Sequence, residues 1–400
     1  MTPTKQIPLD MSMKSTVRLR IEEALHRHAG DVLELSHALH ADPELSGEEF
    51  RAAERVRELL RVSGFSLDRR QPEAPTAFCA SAGTGNVVVV LCVEYDALPG
   101  IGHACGHNVN GAASVGAALA LAAVAEELGI TVRVLGTPAE EAHGGKVDLI
   151  REGFLAGASL ALMAHASASD SVGSSSLALC AWEVSYEGSA AHAAIAPEEG
   201  VNALDGLVVA QTAIGLARQQ LSRDAVVSLV ILEGGSAVNI IPAHVRAHVE
   251  MRAATSAALA TVQDRVRRCL EAGAMASGAG LTMTPLGNDF AELRQDAYLA
   301  DAYRDAMKHR GRDVVMASAP VASTDMGNVS HVVPSIHPTL GYDVQGAIPH
   351  TAEFASHGAS PSADRAVLDG SYGLAMCAAI TALDPEQRRR LSQPQATQTN

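Results

Sequence analysis

The chain has 400 residues, of which 47% are apolar and 3% aromatic, so at roughly 150 residues per domain it holds two or three domains with cores of Ala, Val and Leu. Its formal charge of -15 excludes nucleic acid and an anionic membrane as main partners, because both require a basic footprint. The six dispersed cysteines form no CxxC pair, which points to a reducing, cytoplasmic compartment with few or no disulfides.

The N-terminal stretch MTPTKQIPLDMSMKS has no apolar h-region and reads as no signal peptide. The segment Asn86 to Val93 is a continuous apolar run, as expected for a strand covered on both faces. Thr131 to Leu135 and Leu160 to Ala164 repeat that pattern, with helical patterns at Gly111 to Glu127 and Gly145 to Glu152 between them. The most apolar stretch, Val109 to Ala125, contains Asn110 and Ser114 and runs straight into Glu126 and Glu127, so it reads as a buried helix and not a membrane span. Strand–helix alternation of this kind predicts an α/β domain with a mostly parallel sheet. Ligands of such sheets sit beyond the carboxyl ends of the strands. Glu94-Tyr95-Asp96, Glu140–Glu141 and His165 fall there.

From about Leu177 the rhythm changes to strand, helix, strand, strand, helix, strand: 177–186, 202–221, 226–233, 244–252, 255–275 and 281–286. This β-α-β-β-α-β order is the ferredoxin-like, α+β pattern. We therefore read residues 178–288 as an inserted domain between two parts, 1–177 and 289–400, of the α/β domain. Helices near Asp296 to Lys308 and Ala363 to Leu383 complete the latter, and the polar tail from Asp384 to Asn400 reads as frayed.

The chemistry concentrates in four segments. In His103-Ala104-Cys105-Gly106-His107-Asn108, a thiolate and an imidazole two residues apart can reach one metal or two adjacent ones. In Gly136-Thr137-Pro138-Ala139-Glu140-Glu141, one carboxylate could bind metal while the other moves a proton. His165 ends the third strand pattern, and His350 lies in PHTAEF just upstream of the last helix. Singly, each also suits a bland role: a buried Cys at a helix start, an acidic pair on a helix dipole, a structural His. Together their S, N and O donors suit zinc, manganese or a similar divalent ion, with cobalt and nickel as further options.

These motifs — CxHN after a YDALPG turn, GTPAEE, an apolar strand ending in His, and a late PHT-EF segment — resemble the amidohydrolase branch of the aminoacylase and carboxypeptidase-G metallopeptidases. Auxin-conjugate, hippurate and aminobenzoyl-glutamate hydrolases belong to that branch. The likeness runs from about Leu35 (LSHALHADPELSGEE) to the last helix. It implies a two-metal centre in which Cys105 bridges the ions and His107, Glu141, His165 and His350 complete their coordination. It implies Glu140 as general base and acid, and Asp96 as the group orienting a metal-binding side chain. Asn108 departs from the Asp that many members carry there, so an acidic supporting group is lost. In the inserted domain, His192 in GSAAHA resembles a His that reaches an active site, often the partner subunit's, and could stabilise an oxyanion. Asn239 in NIIP and Arg252 after EM resemble elements that hold a substrate carboxylate. Taken singly, His192 also suits a turn histidine and Arg252 a solvated strand-end charge.

The resemblance further implies that the inserted domain serves as lid and dimerisation domain, with the chain a homodimer. The implied activity is hydrolysis of the amide bond of an N-acyl amino acid, dipeptide or aryl-amide amino-acid conjugate with a free carboxylate. Two other readings stay open. One is a Cys-nucleophile hydrolase built on Cys105, which leaves Glu141, His165 and His350 without a task. The other is a metal-free binding or regulatory protein on the same scaffold. His103, His143, His331, His337, His357 and the 323–327 loop (STDMG) are further candidates for the wall of the site, and His244 and His248 read as structural.

Overall fold

The strand Val87–Val93 is buried along nearly its whole length, which is why its sequence is a run of Val, Leu and Cys and not an alternation. In this computed structural model, which describes residues 10–320 and 322–391, it pairs in parallel with Ile130–Gly136 on one side and Leu160–Leu162 on the other. Ser335–Ile336 extends the parallel part, while Phe78–Ala82 and Ser66–Leu67 form an antiparallel edge. Most of the MTPTKQIPLDMSMKS stretch and the end of the polar tail, residues 392–400, lie outside the described residues.

The described chain divides into two compact units: one of residues 10–175, 294–319 and 328–391, the other of 176–293, 320 and 322–327. In the first, the helices Asp10–Ala41, His107–Ala122, Ala297–Lys308 and Pro361–Leu383 pack together beside the six-stranded sheet. His107–Ala122 is rich in Ala and Gly and almost wholly buried. Small residues let its neighbour come close: a Cβ at Gly116 would lie 2.3 Å from Ser371 Oγ on Pro361–Leu383. That second helix is long and apolar enough to cross a membrane by length and composition, but it is a core element, largely buried inside the unit.

Three local expectations are corrected. The helix expected from Gly111 begins at His107 and breaks after Ala122, with a separate turn at Ala125–Leu128. The third strand ends at Leu162, and His165 opens a different strand, His165–Ser167, which pairs with Thr339–Gly341 in a small second sheet. The changeover is visible in the hydrogen bonds: Met163 N donates to Ile336 O and His165 N to Pro338 O. The tail does not fray at Asp384, because Pro385–Leu391 is helical. Asp384 accepts from the first-turn N–H groups of Glu386 and Gln387, a capping arrangement.

The second unit is a four-stranded antiparallel sheet in the order Gly280–Pro285, Ala178–Glu187, His244–Ala253, Val226–Glu233. Helices Ala203–Ala217 and Ser256–Ser277 pack on each other and on the sheet. Alternation sets the faces: Val245, Ala247, Val249, Met251 and Ala253 are buried, which leaves His244, Arg246, His248, Glu250 and Arg252 on the other side. Thr255 caps the long helix by accepting from Ala258 N at 3.2 Å. The architecture is α/β with an inserted α+β domain, as the sequence pattern implied.

Candidate metal centre

Parallel pairing puts the ends of Val87–Val93 and Ile130–Gly136 level, Val93 opposite Gly136, so Glu94–Asp96 and the turn carrying Glu140–Glu141 leave the sheet side by side. Cys105 and His107 flank Gly106, whose φ is 77°. A Cβ at Gly106 would stand 2.3 Å from the Ala166 Cβ, so only glycine fits the turn that aims the two donors. His350 comes in from the far part of the chain: its N–H donates to Ala104 O at 2.9 Å.

Two donor triads result: Cys105, His107 and His165, and Cys105, Glu141 and His350. Within each, the candidate ligand atoms lie within 4.8 Å of one another. Cys105 Sγ is 3.5 Å from both His165 Nε2 and His350 Nε2, and Glu141 Oε1 is 3.8 Å from His107 Nε2 and 3.7 Å from His350 Nε2. A third triad, His107, Glu140 and Glu141, overlaps both.

Hydrogen bonds select the ligand atoms. His107 Nδ1 donates to Asp96, with Oδ1 and the backbone O both at 2.9 Å, which leaves Nε2 with its lone pair toward the cluster. His165 Nδ1 donates to Ala166 O at 2.9 Å, with the same effect. His107 Nε2 and Glu141 Oε1 are buried with no hydrogen-bond partner. Buried polar atoms rarely stay unpaired, and a divalent cation would engage both; the donor set therefore fits a pair of such ions. Ala139 (φ 57°) and His350 (φ 67°) adopt left-handed backbone although neither is glycine, a strain that clusters at functional sites.

The electrostatics are polarised. Burial pushes the Cys105 thiol pKa up and that of His165 down. Burial would also lower His107, but the Asp96 and Glu94 carboxylates outweigh it and hold its pKa well above the usual value. A coordinating divalent ion inverts this logic for its ligands, since a bound thiol loses its proton outright.

Two participants, Lys146 and Asn110, went unread in the sequence. Glu94 and Lys146 form a fully buried ion pair at 2.6 Å, and Glu94 Oε2 is 3.5 Å from His107 Nε2. Asn110 links Glu94 to the strand that carries His165, donating to Glu94 Oε2 and accepting from Ala166 N at 2.7 Å. Glu94 stood among the suggestive residues at the end of the first strand pattern, with no role attached, whereas Lys146 and Asn110 carried no local signal. His337, one of the candidates for the wall, packs edge-on to His165 with ring centroids 5.4 Å apart. Burial lowers its pKa to about 3, so it stays neutral.

Asn108 donates to Ser36 Oγ at 3.1 Å and Gly358 O at 2.8 Å, tying two helical segments together. His103 is buried, while His143 is exposed and bonded to Asp148. In the second unit, His192 pairs with Ile240 in an isolated bridge and Ala193 N donates to Asn239 O at 3.0 Å, so His192 and Asn239 are neighbours. Arg252 donates to Glu250 Oε1 at 2.8 Å and to Ser323 Oγ at 3.2 Å. His244 and His248 bond Glu187 and Glu183.

Comparisons with known proteins converge on one group. The peptidase dimerisation domain profile of the M20 peptidases matches residues 177–276. The Xaa-Arg dipeptidase of Mus musculus is 36% identical over 390 residues, 93% of this chain and 88% of the relative. A p-aminobenzoyl-glutamate hydrolase polypeptide of Escherichia coli K12 is 31% identical over 282 residues, 63% of this chain and 59% of its own length. Among solved structures, a Bacillus subtilis protein described as a dinuclear metal binding peptidase from the M20 family shares the fold with a TM-score of 0.60 at 22% identity, covering 86% of this chain and 98% of that one. The aminobenzoyl-glutamate utilization protein of Klebsiella pneumoniae does so with a TM-score of 0.71 at 19% identity, covering 90% and 98%.

Proposed function

Because this chain belongs to the M20 family of metal-dependent amidohydrolases, we propose that it hydrolyses the amide bond of a small substrate with a free carboxylate at a centre of two divalent ions. The substrate class is dipeptides, N-acyl amino acids or aryl-amide amino-acid conjugates. The observation that carries the reading is the sharing of Cys105 by two donor triads. Cys105, His107, Glu141, His165 and His350 would hold the two ions, with Cys105 the donor that both triads have in common. Zinc or manganese suits this mixed S, N, O set first, cobalt or nickel next.

Bound divalent ions supply acidification of a water toward neutral pH and polarisation of the scissile carbonyl. Glu140, mostly buried beside Glu141, takes the proton from that water as it attacks and delivers it to the departing amine. Asp96 keeps His107 in the tautomer that presents Nε2. His192 donates to the developing oxyanion. Arg252, with Asn239, receives the substrate carboxylate through its planar fork; of that fork, Nε now donates to Glu250 and an Nη to Ser323. The mouse and human relatives that align over more than nine-tenths of the chain are Xaa-Arg dipeptidases, so dipeptides ending in Arg head the substrate screen.

Homodimerisation through the second unit fits its surface. The edge strand Val226–Glu233 leaves Val226, Val230, Ile231 and Leu232 exposed, and Ala203–Ala217 exposes Val208, Val209 and Leu216, an apolar set characteristic of an interface. All six cysteines are free thiols, in keeping with a reducing cytoplasm.

The test is elemental analysis of protein purified without chelator or affinity metal, combined with the amide screen. We expect about two divalent ions per chain, lost on chelation together with activity. A chain that takes up no divalent ion, or that stays fully active after chelation, refutes the reading.

A further inference from the structure

The segment LSHALHADPELSGEE carries part of the resemblance, yet the reaction above assigns its last residues no task. They lie against the site. Ser46 Oγ donates to Asp96 Oδ2 at 2.7 Å. Glu49 is fully buried, and its carboxylate accepts from Gly47 N at 2.8 Å, from Ala139 N at 2.8 Å and from Thr76 Oγ at 2.9 Å. On the other side, Asp96 Oδ2 accepts from Glu141 N at 3.0 Å. The backbone N–H groups before and after Glu140 are thus each gripped by a buried carboxylate.

Ala139 needs that grip. Its φ of 57° is one that a residue with a Cβ holds only where the surroundings over-determine it. Its carbonyl accepts from His143 N and Gly144 N, so the turn is closed on both ends. The turn also sends Glu140 and Glu141, adjacent in sequence, to separate duties. A buried carboxylate is a costly acceptor, and burial raises the pKa of Glu49; turn geometry alone could have been met by a neutral acceptor or by glycine at 139.

We propose that Glu49 is a positioning residue for the hydrolytic reaction: by holding Ala139 N it fixes the left-handed turn that aims Glu140 at the reacting water and Glu141 at the metal. The geometry is independent of the amidohydrolase reading, but the effect on turnover rests on it.

The experiment compares Glu49→Met, which removes the acceptor, Glu49→Asp, which keeps the charge but withdraws it from Ala139 N, and Glu49→Gln, which keeps a carbonyl oxygen at that distance. Two quantities are read on the metal-loaded chain: steady-state kinetics, and amide hydrogen exchange in the 136–145 stretch. In E49M and E49D, exchange at Ala139 N accelerates about tenfold or more as the turn opens locally. In both, kcat falls by about a hundredfold, the cost of misplacing a catalytic group by an ångström, with KM changed little. E49Q recovers most of both. If E49M does not fold, the order of E49D and E49Q decides: E49D more active than E49Q overturns the proposal, as does wild-type kcat in E49M. A wild-type chain that cleaves no amide sinks the amidohydrolase reading instead, and unchanged Ala139 exchange in the variants then overturns the clamp itself.

Discussion

Asp96 accepts a hydrogen bond from His107 Nδ1 at 2.9 Å, and both side chains are wholly shielded from solvent. The bond sets the imidazole tautomer and its ring angle at once. Asp96→Ala is expected to weaken metal binding by about 10- to 100-fold, read by competition with a chromophoric chelator. Wild-type affinity in that variant removes the orienting role from Asp96.

Cys105 is the only donor common to the two triads that use His165 and His350. Cys105→Ala should therefore cost both ions, whereas His350→Ala should cost one, as counted by elemental analysis. The same thiolate should resist alkylation in the loaded chain and become reactive after chelation, since coordination occupies its lone pairs. Rapid alkylation that abolishes activity in the loaded chain would favour the Cys-nucleophile reading.

Glu140 and Glu141 should separate cleanly. Glu140→Gln is expected to retain both ions and lose about 10²- to 10⁴-fold in kcat, the range for removal of a general base. Glu141→Gln is expected to lose metal first and activity as a consequence. Full turnover in Glu140→Gln contradicts the base assignment.

Asp384 offers a stability prediction away from the chemistry. Partial burial raises its pKa, but hydrogen bonds from Gln387 N, Tyr298 Oη and Glu386 N outweigh this and hold it below its usual value. A depressed folded pKa means the charged form is favoured on folding, so the stabilisation is present above the ordinary aspartate pKa of about 3.9 and fades as pH falls below it. Asp384→Ala should cost about 1 kcal/mol at neutral pH, as for loss of a helix cap. Denaturant melts at pH 7 and pH 3 should show the gap narrowing; a gap that widens toward acid contradicts the assignment.

The edge strand of the second unit supplies a test of assembly. Val230→Lys with Leu232→Lys places charge on an unpaired, exposed edge, a substitution that blocks edge pairing while leaving the sheet interior intact. Light scattering should report a monomer where the wild type is a dimer. Two species of equal mass would move the interface elsewhere.

Sequence alone determined the elements whose periodicity is unambiguous and the donors that travel in short motifs. Val87–Val93 is legible because burial on both faces demands an unbroken apolar run, and Ala178–Glu187 because burial on one face demands alternation. Cys105 and His107, or Glu140 and Glu141, announce themselves because the chemistry needs them within two residues of each other. His165 and His350 carry no such signal singly: 185 residues separate them, and only the closing of the sheet brings each within 3.5 Å of Cys105. The start of the ligand helix at His107 depended on Gly106, where the left-handed turn and the nearby Ala166 Cβ, an atom distant in sequence, leave no room for a side chain. Tertiary structure alone decided that Asn108 binds Ser36 and Gly358, that Lys146 neutralises Glu94, and that Glu49 grips Ala139. Each of those is a buried polar group, and a buried polar group is defined by its partner across space, which no local pattern of residues records.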